Sequence, residues 1–404
     1  MPLTIVQNVA LNNAATSGRT SIRCEPTAAA NDRQLVMTGN WFASTSTDGG
    51  RNWAHLDPFS KFPPAAAGFC CDQIVLYNPS HQIWIWLLQY VKTNNGDNIF
   101  RLAVCQEAQF GIGNWYHWDF APKNLNAAWN KVWFDYPDMA FTRQNLFVTF
   151  NVFLGEAWQR AVVFRFPLAT MAARGALSYR WWSTTNNGSI RLCRGAGPVM
   201  YMGSHNTVSQ LRLFQWADTA SSISWTDVNT RPFTAGAYLA PGPDGLNWLG
   251  RTDPRITGAW VGNGTIGFMW SANRDAKHPL PYIRVARINE ATKALIDEPD
   301  IWSRTSAWAY PAAAANTRGE VGISAFYGGG THNPTHVVGV KTATGWDTQV
   351  SRASTAGPVD QAWGDYVSGI AHHSNGAEWV ASGYTLQGGS ARSNIEPRYI
   401  RFHA

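Results

Sequence analysis

Arginine, tyrosine, aspartate and histidine recur at one kind of place in this chain: at the openings of short apolar runs and in the polar breaks between them. Arg23, Asp72, Tyr136, Asp138, Arg191, Asp253, Arg255, Tyr310, Asp365 and Tyr366 stand near run openings. Glu156, Arg160, His205, Arg274, His278, His332 and Arg392 stand in later breaks. Gathered round one volume, such residues suit an acidic sugar. Arginine forks bind carboxylates in bidentate fashion, and tyrosine and histidine can carry protons. Tyr310, His205, His332 and Tyr136 are therefore the candidates for catalysis. Arg23, Asp72, Asp138, Arg191, Arg255, Asp365 and Tyr366 are the candidates for holding substrate. An aspartate that opens a strand can equally cap a backbone amide, so the set carries more weight than any member.

The elements that must position these residues are short and β-like. Sustained helical periodicity is absent, and the one helical piece expected lies near 166–176. The apolar runs fall into units of four. SIRCEPT, RQLVMTG, WFASTST and NWAHL make the first; DQIVLYN, IWIWLLQY, IFRLAVCQ and Trp115–Trp118 the second; DMAFT, LFVTFNVF, AVVFRFP and Tyr179–Trp182 the third. SIRLC, VMYMGS, QLRLFQW and SISWTDV follow, then RITGAW, TIGFMWS, YIRVARI and a strand near Trp302. The sixth unit has PAAAAN, VGISAFY, THVVGVK and a strand from Trp346; the seventh has only YVSGIAH, EWVASGY and PRYIRFH. The unassigned strand Leu3–Gln7 supplies the missing fourth member and closes the ring, leaving no open edge. The reading is all-β: one domain over residues 1–404, a seven-bladed β-propeller with a mean repeat of about 58 residues, the alternative being six blades because the fourth unit is thin. In such a wheel the starts of the innermost strands and the loops between second and third strands share one face, where ligands meet several blades at once. Two echoes support the register: SIRC at 21–24 with SIRLC at 189–193, and Tyr136-Pro137 with Tyr310-Pro311.

Composition narrows the field. Of 404 residues 45% are apolar and only 14% charged, with 21 Trp; this fits broad β-sheet packing surfaces. Most Trp belong between blades, with Trp158 and Trp308 reaching the open face. His81, His372 and His373 fall on turns of the opposite face. The net charge of +6 comes without a dense Lys/Arg block, so neither nucleic acid nor a membrane is expected as a partner, and no run is long enough to span a bilayer. The chain is expected to be a monomer. Five cysteines, Cys24, Cys70, Cys71, Cys105 and Cys193, lack the spacing of a zinc site. They are expected mostly as buried strand residues, one thiol at least being unpaired. The start, MPLTIVQNVALNN, lacks the basic-then-apolar pattern of a signal peptide. A secreted or periplasmic protein whose signal has been removed is the expectation, with a cytoplasmic location left open. No cofactor is called for, apart from the option of a structural divalent cation such as calcium in the central channel.

One local motif names a relative. Residues 46–53 read Ser-Thr-Asp-Gly-Gly-Arg-Asn-Trp, the Asp-box pattern, in which an Asp accepts backbone N–H bonds in a tight turn and a Trp packs beneath it. With this turn, SIRCEPTAAANDRQLVM, AYPAAAANTRGEVGISAF and WGDYVSGIA, the chain resembles the sialidase-like, Asp-box (BNR-repeat) β-propeller superfamily. The resemblance implies a carboxylate-binding role for Arg23 and a nucleophilic role for Tyr310. The Cys24-Glu25-Pro26 run departs from the family's Arg-Ile-Pro, and the fourth blade offers no Glu to activate the tyrosine. Cleavage of an acidic glycan, uronate- or sialate-containing, is the expected activity. The missing Glu favours a lyase over a hydrolase; the alternative is a non-catalytic, lectin-like glycan- or protein-binding propeller.

Overall fold

The computed structural model describes residues 3–11, 19–366, 369–372 and 376–404. His373 therefore lies outside the described residues. Seven four-stranded antiparallel sheets form in chain order. Their innermost strands are Thr27–Ala30, Phe69–Asn78, Val132–Phe141, Arg191–Leu192, Ile256–Gly262, Ala307–Ala315 and Gly369–His372. The seven-bladed wheel is thus present. Blade four is complete, although its inner strand is two residues long. The helix expected near 166–176 is Leu168–Ala173. The outer strand of blade five is Leu295–Asp297 rather than the segment at Trp302.

The ring closes as the chain ends require. Thr4–Ala10 pairs antiparallel with the last strand, Ile395–His403, as the outer strand of blade seven. The blades pack through aromatic and aliphatic faces, and eight Trp, including Trp84, Trp86, Trp260 and Trp379, are fully buried.

The Ser46–Trp53 turn joins the third and fourth strands of blade one, away from the face where inner strands begin. Asp48 Oδ1 accepts the N–H groups of Arg51 at 3.0 Å and Asn52 at 2.9 Å. Those bonds, the one from the Asn52 backbone first, pull the Asp48 carboxyl down to about 2. Gly49 and Gly50 take φ of 75° and 84°, and the Trp53 indole N–H returns to Gly50 O at 3.1 Å.

Toward the opposite face three inner strands carry the same device, before the strand in blade one and within it in blades three and six. Tyr136-Pro137 is an extra step between the pairs Asp135–Asn151 and Asp138–Thr149. Tyr310-Pro311 is the same between Ala309–Phe326 and Ala312–Ser324. Glu25-Pro26 stands between the Asn40 N–H to Cys24 O bond and the pair Thr27–Thr38. The residue before each proline has positive φ: 46° at Glu25, 55° at Tyr136, 56° at Tyr310. Proline steers its predecessor toward extended backbone, so each bulge stores about 1–3 kcal/mol of strain. Its effect is to swing a long polar side chain out of the sheet's alternation and toward the axis.

Two excursions between blades complete this face. Residues 230–255 lead into blade five and residues 354–366 lead toward blade seven. They clasp each other: Leu249 bridges Ala362, Gly250 N–H donates to Gln361 O at 2.9 Å, and Gly357 N–H donates to Asp244 Oδ2 at 2.7 Å.

Candidate functional site

The three proline bulges, the start of blade two and the two excursions bring Glu25, Asp72, Asp135, Tyr136, Tyr310, Asp365 and Tyr366 close enough for their charges to act on one another at the axis. Glu25 is 4% exposed. Its Oε1 accepts the Asp365 backbone N–H at 2.7 Å, and its Oε2 accepts Asn40 Nδ2 at 2.6 Å. Burial, then the nearby Asp365 charge, raises its carboxyl to about 7. Asp72 is pushed well above the usual carboxylate range by burial and by the charges of Glu25 and Asp135, with the Tyr366 hydroxyl as its hydrogen-bond partner. Asp135, held by Gln89 Nε2 at 2.9 Å, is also raised by burial.

Asp365 goes the other way. Burial alone would raise its carboxyl, but Arg251 and Arg255 overcome that and hold it below the ordinary value. Arg251 Nη2 sits 2.6 Å from Oδ2 and Arg255 Nη2 2.9 Å from Oδ1. Arg255 also pairs with Asp253 at 2.6 Å and lies 4.3 Å over the Tyr136 ring. The site therefore sets carboxyl groups raised by burial beside a clamped anion, the division of labour on which acid–base pairs depend.

Beside this group an open pocket of about 440 Å³ lies between blades three, four and five, lined by Asn151, Trp158, Asn187, His205, Asp253 and Arg255 among others. Trp158 is 36% exposed. Its indole N–H donates to Asn151 Oδ1 at 3.2 Å, and the same oxygen accepts Ser189 N–H at 2.8 Å. Gly188 lies close to the ring, and a Cβ there would come within 3.1 Å of it. Arg255 faces both this pocket and the carboxyl group.

The residues expected from sequence divide into those the fold gathers and those it does not. Tyr136, Tyr310, Tyr366, Asp72, Asp365 and Arg255 are gathered. Burial raises Tyr136 to about 12 and Tyr310 further, so both hydroxyls keep their protons and offer hydrogen bonds. His205 lines the pocket, but its Nε2 bonds Pro254 O at 2.8 Å and burial lowers it to about 4; it holds the backbone just before Arg255 as a neutral ring. Arg23 stands at the rim, paired with Asp360 at 2.5 Å. Asp138 stands deeper in the channel. It is 2% exposed, with Arg194 at 2.9 Å, Arg191 at 3.4 Å and the Leu192 N–H at 2.8 Å. It is a cross-link between blades three and four below the floor, and Arg191 is spent on it there. His332 is also displaced from the expected centre. It is an exposed residue at the start of the third strand of blade six, His332–Lys341, edge-on to Tyr327 at 5.5 Å.

Beneath the floor the channel narrows to cavities of about 30 and 60 Å³, the lower lined largely by alanines. Among the described residues no three His, Cys, Asp or Glu converge as a metal-binding group. Sequence reasoning missed Glu25, Asp135 and Arg251. The signal for Glu25 was its following proline, the same sign that marked Tyr136 and Tyr310.

No protein-family model matches the chain, and no curated protein is similar to it. Among solved structures the chain is similar to the α-L-arabinofuranosidase Arb93A of Fusarium graminearum, at 8% identity and TM-score 0.49, covering 98% of this chain and 97% of that one. It is similar to the SapL1 lectin, at 12% identity and TM-score 0.42, covering 83% and 97%. It is similar to the hemagglutinin-neuraminidase of Parainfluenza Virus 5, at 10% identity and TM-score 0.44, covering 87% and 94%. Likeness at this level carries no argument about activity.

Proposed function

We propose that this protein hydrolyses a glycosidic bond in an acidic glycan at the axis of the wheel. One observation carries the reading: Glu25, raised to about 7, is joined through the Asp365 N–H to a carboxyl group held below its ordinary value. Glu25 in its protonated form gives its proton to the leaving oxygen as the bond breaks, and a water molecule then bonds to the sugar carbon and returns a proton to Glu25. Asp365, fixed by two arginines, opposes the positive charge that develops on the sugar. Tyr136 and Tyr310 donate hydrogen bonds, and Arg255 is the cation within reach of a uronate or sialate carboxylate in the neighbouring pocket. A sugar ring stacks on Trp158. Glu25 is not the tyrosine-activating Glu whose absence favours a lyase, but as a buried proton donor beside Asp365 it supports hydrolysis over elimination. The Cys70–Cys71 disulfide favours an oxidising location, secreted or periplasmic.

A panel of uronate- and sialate-containing glycans tests the reading, with neutral arabinans and fucosides as controls. New reducing ends without unsaturated-uronate absorbance support hydrolysis. That absorbance supports a lyase, and retention without product supports a lectin. Turnover of neutral glycans alone would remove the acidic-substrate assignment. Trp158→Ala should raise KM by about 5- to 160-fold, taking about 1–3 kcal/mol for a ring stacked on an aromatic side chain, with kcat nearly unchanged. Steady-state kinetics on the cleaved glycan give that split, and an equal fall in kcat would place Trp158 in the chemistry.

A further inference from the structure

Blade two enters the site without the proline device of blades one, three and six. Its inner strand loses register between the pairs Phe69–Tyr90 and Gln73–Leu88, so Cys70, Cys71 and Asp72 together face the single residue Gln89. That is a wider bulge than the others, and it presents Asp72 to Glu25, Asp135 and Tyr366. Cys70 and Cys71 are bonded to each other, their Cα atoms 3.7 Å apart. A bond between neighbours closes a small ring round one peptide. It removes torsional freedom at the place where the other blades use a proline ring. Both sulfur-bearing residues are only half-buried, whereas Cys24, Cys105 and Cys193 are buried thiols.

We propose that the Cys70–Cys71 disulfide is the positioning device for Asp72, and that a dithiol reductant releases it. The exchange passes two electrons and two protons to the bond. The S–S bond breaks, two S–H groups form, and the dithiol closes its own disulfide. With the ring open the three-residue bulge relaxes and Asp72 leaves its place between Glu25 and Tyr366. The reaction assigned above then slows. This second consequence rests on the proposed hydrolysis; the first does not.

The test treats the whole folded protein with a small dithiol and counts thiols before and after. Two reactive thiols should appear. The carboxyl carbon of Asp72, assigned by its loss in Asp72→Asn, should then titrate closer to an ordinary carboxyl group. Glycan turnover should fall by up to about 100-fold, as misplacement of site groups commonly costs, and return on reoxidation. The C70S/C71S variant should match the reduced protein and ignore the dithiol. An unchanged Asp72 titration in both reduced protein and double variant would overturn the proposal. So would a large drop in melting temperature on reduction, since the bond would then be a staple of the fold. An altered titration without any glycan turnover would keep the positioning role and remove the hydrolase reading.

Discussion

Glu25→Gln should lower kcat/KM on the cleaved glycan by about 10²- to 10⁴-fold, the usual worth of a positioned proton donor. The substitution keeps the side chain's shape and its acceptor for the Asp365 N–H, so the fold should persist. Wild-type activity should be bell-shaped in pH. Its basic limb should fall at about 7, where Glu25 loses its proton, and its acid limb below the ordinary aspartate value, where Asp365 gains one. Stability gives a second readout. A carboxyl raised in the folded state adds stability below its unfolded value and loses it as pH rises through its folded value. Glu25→Gln should therefore be relatively more stable than wild type above pH 7, by melting at two pH values. A variant that keeps full activity would assign the proton to Asp72 or Asp135 instead.

The largest effect on stability should come from blade five. Arg284, 1% exposed in its side chain, pairs with Glu298 and lies 3.3 Å from Asp300, which are 7% and 3% exposed. It also donates to the carbonyl groups of Arg231 at 3.0 Å and Pro232 at 3.2 Å. Arg231 meets the same two acids at 2.9 and 2.8 Å, but its side chain is 43% exposed and it pairs with them from the solvent side. Arg284→Met should thus leave two buried carboxyl groups short of a cation, at a cost of about 3–5 kcal/mol, read from the midpoint of chemical denaturation with the slope unchanged. Adding Glu298→Gln and Asp300→Asn to it should return much of the loss, because an uncompensated buried charge is the chief expense. A cost under about 1 kcal/mol for the single change would show that Arg231 and water suffice.

The wheel was legible because its signals are local. Runs of apolar residues, a turn with Asp48 and two glycines, and a spare strand at the start of the chain with a place for it in the last blade follow from rules that act over a few residues. The site was legible in part. The Tyr136-Pro137 and Tyr310-Pro311 echo marked two of the three proline bulges. Glu25-Pro26 is the third, and it read as a departure from a family pattern because nothing in a residue's type announces a positive φ before proline. Arg251 and Asp365 are 114 positions apart, joined by two clasped excursions that carry no repeat. Asp138 looked like a site residue because it opens a run. Its two oxygens are taken by arginines of the next blade, which only the packing of blades three and four decides. Adjacent cysteines gave no spacing to read, and the ring they form serves a bulge that the sequence does not display.

The central claim is that a neutral acid and a clamped anion share the axis. Carboxyl-carbon titration of protein labelled at glutamate, compared between wild type and Glu25→Gln, tests it most directly. The account predicts one glutamate titrating at about 7 that the substitution removes. A Glu25 signal that titrates with the ordinary glutamates near 4.5 would contradict it.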